Sequence, residues 1–128
     1  RASGLKALGG SNDMRALHAM GTPEAAFAID HFCYWAARHA ASLCAAMGGL
    51  DAITFTGGIG ENDGIIRSKI VNQLAFLGAV IDGEANARGD QTLHAATSPV
   101  AIWIVPADEE RQIALEASAV MHHEEGLR

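Results

Sequence analysis

The run Gly57-Gly-Ile-Gly-Glu-Asn62 carries the plainest chemical potential in this 128-residue sequence. It follows Asp51-Ala-Ile-Thr-Phe-Thr56, a short β-prone run that reads as a buried strand. A strand feeding straight into glycines and then a helix leaves backbone N–H groups unpaired at its C-terminal end. That is where α/β sheets take phosphate or ribose, and glycine lets a ligand approach the backbone closely. Two readings of the spacing stand side by side. Gly58, Gly60 and Gly64, with Asp82 further on, loosely imitate a dinucleotide fingerprint. The alternative is a tight strand–helix turn with no ligand.

Pro106-Ala-Asp-Glu-Glu110 repeats this layout after the apolar run Val100–Val105. Carboxylates there suit Mg²⁺, which takes oxygen ligands and often only one or two from protein. The same acids in a first helical turn stabilise the helix dipole by about 0.3–1 kcal/mol each with no metal at all. Asn12-Asp-Met-Arg15 puts a guanidinium near a helix start, suited to phosphate or base contacts, though a capped and solvated helix end is the commoner use of such a segment. The histidines add little: His31 and His39 lie in the long helix without a metal-like partner, and His122 and His123 sit near the C-terminus. No Ser–His–Asp arrangement can be assigned, and the absence of G-x-x-x-x-G-K-[ST] excludes the P-loop kinases.

These residues need elements to hold them. Asn12 is read as the cap of a short helix to about Met20, ended by Gly21. Thr22-Pro-Glu24 starts a long helix whose inward stripe is Ile29, Phe32, Ala36, Ala40, Leu43 and Met47, with Asp30, Tyr34 and Arg38 on its polar face. Gly48-Gly49 stops it. Asn62 or Asp63 caps a second amphipathic helix facing inward with Ile66, Ile70, Leu74 and Leu77. Ala79–Asp82 reads as a short strand, 83–99 as loop, and Val100–Val105 as the clearest strand. A last helix is expected from Asp108, with Ile113, Ala117 and Val120 inward. Strands alternating with helices give an α/β class with parallel β–α units, in a small sheet whose open edge needs cover.

Composition narrows the partners. A hydrophobic fraction of 49% and a charged fraction of 19% belong to an ordinary globular domain. The net charge of −6 argues against nucleic acid, whose backbone demands a basic face, while still allowing a single nucleotide held by backbone N–H groups and a metal ion. No apolar run approaches the ~20 residues that span a bilayer. A helix would hold Cys33 and Cys44 about 16 Å apart, beyond disulfide reach, so they read as small core residues in a reducing compartment. A cytoplasmic protein is expected. Arg1–Gly10 carries no starting methionine and no strand pattern, so the chain is expected to begin partway through a domain.

A resemblance joins the segments. Phe55-Thr-Gly-Gly-Ile-Gly-Glu-Asn62 resembles the adenosine-site signature of the acetate kinases and their propionate kinase relatives. Ser3-Gly-Leu with Asn12-Asp-Met-Arg15, Ala28-Ile-Asp-His-Phe-Cys-Tyr34 and Pro106-Ala-Asp-Glu-Glu110 resemble further family segments in the same order. Ala107 departs from a usual threonine and Trp35 from a common arginine. The resemblance implies the C-terminal part of an actin-like, sugar-kinase-like or Hsp70-like ATPase domain, with a small, mainly parallel sheet and flanking helices. It implies transfer of the γ-phosphoryl of ATP to acetate or propionate with Mg²⁺, in a homodimer. Asp13, Met14 and Arg15 are then expected to border the adenosine, and Gly58, Ile59, Gly60, Glu61 and Asn62 to cradle its ribose and α-phosphate side. Glu109 is expected to help hold the Mg²⁺. Residues 1–128 would form one partial, nucleotide-binding domain. The N-terminal domain and the catalytic residues would lie upstream, outside the chain.

Overall fold

The computed structural model describes residues 11–106 and 115–117. Helix α1 (Ser11–Met20) leads through Gly21 and Thr22 into α2 (Pro23–Met47). Thr22 begins α2 as expected: its backbone is extended, its side chain accepts from Ala25 N at 3.1 Å, and Pro23 takes a first position that needs no N–H. The deepest line along α2 is Ile29, Phe32, Cys33, Ala37, Ala40 and Cys44, so the buried face is turned slightly from the Ala36–Leu43–Met47 line. Both cysteines are free and buried, as small core residues. Burial pushes the Cys33 thiol up to about 12, against the pull of Lys69, and pushes Cys44 up as well.

Strand β1 (Ala52–Phe55) is buried at every position, the pattern of a central strand covered on both faces. It leads into α3 (Gly57–Asn62) and then α4 (Gly64–Gln73), a 3₁₀ turn at Ala75–Leu77, α5 (Gly83–Arg88) and β2 (Ala101–Ile104). β1 and β2 are parallel, with Ala52 beside Ala101 and Phe55 beside Ile104. β2 alternates, sending Ile102 and Ile104 into the core and Trp103 outward. On the other side of β1 lies β3 (Leu115–Ala117), antiparallel, giving the order β2-β1-β3. The core joins Met14 of α1 to α2, β1, Ile59 of α3, α4 and β2. Full burial of a side chain such as Ile53 or Phe55 contributes roughly 1.5–3 kcal/mol.

Several expectations are corrected. Gly57–Asn62, read as a glycine-rich turn between strand and helix, is itself a short helix. Asn12 lies within α1, which already includes Ser11. The stretch 83–99 contains α5, capped by Asp82, whose carboxylate accepts from Glu84 N and Ala85 N. Of the strand expected at Ala79–Asp82 there is a single antiparallel bridge, Ile81 to His94. Ala117, expected on the inward face of a last helix, lies in strand β3, because pairing with the open side of β1 outweighs the helical propensity of Leu-Glu-Ala. The free edge of β2 is covered from within this chain. Leu93 N donates to Ile102 O at 2.8 Å and Ile104 N to Gln91 O at 2.9 Å, while the His94 ring accepts Ile102 N at 2.9 Å. Among the described residues no helix is long and apolar enough to cross a membrane.

Candidate functional site

Parallel pairing brings the C-terminal ends of β1 and β2 to the same edge of the sheet, where α/β folds present ligand-facing backbone. Val105 N donates to Phe55 O at 2.9 Å, so the chain leaving β2 starts beside the chain leaving β1. Pro106 follows directly; Glu109 lies outside the described residues.

The glycine run is built by two close tolerances. Thr56 is extended at φ −149°, and Gly57 then takes φ +83°, a left-handed conformation that L side chains adopt only with strain. That reversal turns the strand into α3. At Gly60 an added Cβ would lie 3.3 Å from the Phe55 carbonyl carbon and 3.4 Å from Phe55 Cβ, so α3 rests its glycine against the last residue of the strand. Ile59 is buried beneath it. Gly58 and Asn62 are exposed and Glu61 half-buried. Glu61 Oε2 accepts from Gly57 N at 3.1 Å, and Asn62 Nδ2 donates to Gly58 O at 3.0 Å, so side chains within the run brace both turns of a helix that glycine alone would not sustain.

The other brace is Arg67, whose side chain is almost wholly buried. One terminal nitrogen donates to Gly60 O and Glu61 O, each at 3.0 Å, satisfying carbonyls at the C-terminal end of α3. Its Nε donates to Asn86 Oδ1 at 2.7 Å and its second terminal nitrogen to Asn86 O at 2.9 Å, while Asn86 Nδ2 donates to Gly64 O at 2.8 Å. Burial pulls the guanidinium down from its ordinary value, and the charge of Asp63 opposes that pull. No buried side-chain nitrogen or oxygen among the described residues lacks a partner, so the network is closed. Sequence reasoning missed Arg67 and Asn86. The available signal was a cation lodged beside Ile66, Ile70 and Val71 on the buried side of an amphipathic helix.

Of the expected trio on α1, Asp13 and Arg15 are exposed and Met14 is fully buried in the core. The helix also meets the glycine run through His18, whose Nε2 lies 3.0 Å from Asp63 Oδ2. Asp63 is the cap chosen for α4, its Oδ1 accepting from Ile66 N at 3.0 Å. The structure thus joins the two groups of nucleotide-side candidates. The geometry gives the dinucleotide alternative no support: Gly64 faces Asn86 and Arg67, and Asp82 Oδ1 caps α5. His31 and His39 are exposed, and among the described residues no three His, Cys, Asp or Glu side chains gather in a way that could hold a metal ion.

Comparison with known proteins bears on the chain's family and fold. The acetokinase family matches residues 1–115. An acetate kinase of Rhizobium meliloti is 47% identical over 120 residues, covering 93% of this chain and 30% of the relative. One from Rhodopseudomonas palustris is 48% identical over 117 residues, covering 89% of this chain and 29% of the relative. A crystal structure of a propionate kinase from Francisella tularensis superposes with a TM-score of 0.70 at 37% identity, over 77% of this chain and 26% of that one. An acetate kinase structure from Entamoeba histolytica gives 0.70 at 25% identity, over 94% and 32%. The chain therefore spans about 30% of the length of the curated relatives it matches.

Proposed function

This chain belongs to the acetokinase family, and from that premise we propose that it supplies the nucleotide side of an ATP-dependent kinase whose acceptor is a short-chain carboxylate. In the intact protein a carboxylate oxygen of acetate or propionate attacks the γ-phosphorus of ATP. The bond from that phosphorus to the β,γ-bridging oxygen breaks, leaving an acyl phosphate and ADP. Such transfer depends on positioning and charge stabilisation. The observation that carries the reading is the braced helix Gly57–Asn62 at the C-terminal end of β1, with the end of β2 alongside.

Within this reading Gly58, Ile59, Gly60, Glu61 and Asn62 cradle the ribose and α-phosphate side. Asp13 and Arg15 border the adenosine from α1, while buried Met14 sets how deeply that helix sits. Mg²⁺, when bound with the nucleotide, neutralises phosphate charge, and Glu109 is the carboxylate assigned to it. Residues 1–128 then form one partial domain, with catalytic groups supplied from outside it in a cytoplasmic homodimer.

The test is hydroxylamine trapping of acyl phosphate by a protein of full family length carrying this sequence, given ATP, Mg²⁺ and acetate or propionate. Acyl phosphate is the expected product. Phosphorylation of neither acid, with phosphorylation of a sugar, would overturn the reading.

A further inference from the structure

We propose that His18 and Asp63 are a positioning pair that locks α1 against the end of α3 and thereby sets nucleotide affinity. The inference rests on the nucleotide-side reading above. Neither residue falls within the motif segments 12–15 and 55–62. His18 stands one turn beyond Arg15 on α1, and Asp63 immediately follows Asn62. Their bond, His18 Nε2 to Asp63 Oδ2 at 3.0 Å, therefore ties the helix that presents Asp13 and Arg15 to the segment that presents Gly58–Asn62.

Geometry makes this tie directional. Asp63 Oδ1 is already committed to Ile66 N at 3.0 Å, so the cap of α4 fixes the orientation in which Oδ2 meets His18. The two side chains are 24% and 11% exposed, which shields the contact from much of the solvent that weakens surface pairs. Met14 anchors α1 through apolar contact, which resists withdrawal of the helix but is non-directional. A hydrogen bond one turn further along restrains rotation about the helix axis, and rotation decides where Asp13 and Arg15 point. Arg67 lies within electrostatic range of Asp63, so the carboxylate also couples the tie to the brace under Gly60 and Glu61. A ligand touching both elements loses contacts when they shift by as little as about 1 Å.

The experiment compares His18→Leu, His18→Gln and Asp63→Asn in the full-length protein, measuring ADP dissociation by calorimetry, KM for carboxylate and Tm. His18→Leu is expected to weaken ADP about fivefold, the scale of one ordinary protein hydrogen bond, with the carboxylate KM unchanged. His18→Gln, whose amide nitrogen can donate from the same place, recovers part of the loss. Asp63→Asn keeps the oxygen that caps α4 and weakens ADP about threefold. The proposal is overturned if the variants lower Tm while ADP affinity stays within twofold of wild type, or if His18→Gln recovers nothing. Unchanged variants beside a wild type that binds ADP remove the pair alone. A wild type that binds no ADP removes the nucleotide-side reading and this inference with it.

Discussion

Arg67 on α4 and Arg38 on α2 are the same residue type on two helices that pack against each other. Arg67 is buried and spends its donors on Gly60 O, Glu61 O and both oxygens of Asn86. Arg38 lies in solvent, donating to Tyr34 Oη at 3.2 Å and resting 4.8 Å from the centroid of the Trp35 ring. Around it runs an outward ladder in which Phe27 stacks on His31 at 5.8 Å and Tyr34 meets Trp35 edge-on at 5.6 Å. Both arginines are well provided with contacts, but the contacts differ in their alternative. Water replaces everything Arg38 does. Nothing replaces Arg67 at Gly60 and Asn86, whose oxygens are shut away from solvent. Contact number is thus a poor guide to importance, and the cost of leaving a partner unsatisfied is a better one.

Arg67→Met is the substitution expected to have the largest effect. It leaves the Gly60, Glu61 and Asn86 carbonyl groups short of a donor at about 1–3 kcal/mol each, so a loss of roughly 3 kcal/mol or more should appear in denaturant unfolding. A loss below about 1 kcal/mol would break the comparison. Gly57→Ala comes next. Forcing a Cβ into the left-handed conformation at φ +83° costs about 1–2 kcal/mol, and ADP affinity should fall with stability because the same residue aims α3. Arg38→Ala should cost no more than about 1 kcal/mol, the upper end for an exposed cation on an aromatic face. A larger loss there would show that the outer ladder of α2 is a structural element in its own right.

Much of the frame is legible in the sequence because its causes are local. Thr22-Pro23 starts α2 through a hydroxyl and a missing N–H within four residues, and Asp63 caps α4 the same way. The continuous apolar run at Ala52–Phe55 identifies a buried strand, and Cys33 and Cys44 are the small core residues their type suggested, although the stripe drawn from helical spacing left them out. The octapeptide Phe55–Asn62 points to the family to which the chain belongs.

Tertiary structure alone decided the rest. Leu115–Ala117 pairs with β1 as a strand although its residues favour helix, since an unpaired strand side offers more than local propensity. Gly57–Asn62 is helical although three of its six residues are glycine, because Glu61 closes its first turn and Arg67 its last. Arg67 finds Asn86 nineteen positions away, and His18 finds Asp63 forty-five away. Caps, periodicity and turns act over one or two helical turns and can be read along the chain. A buried donor's partner is whatever the packed core brings within 3 Å of it, and that distance exists only once the chain has folded.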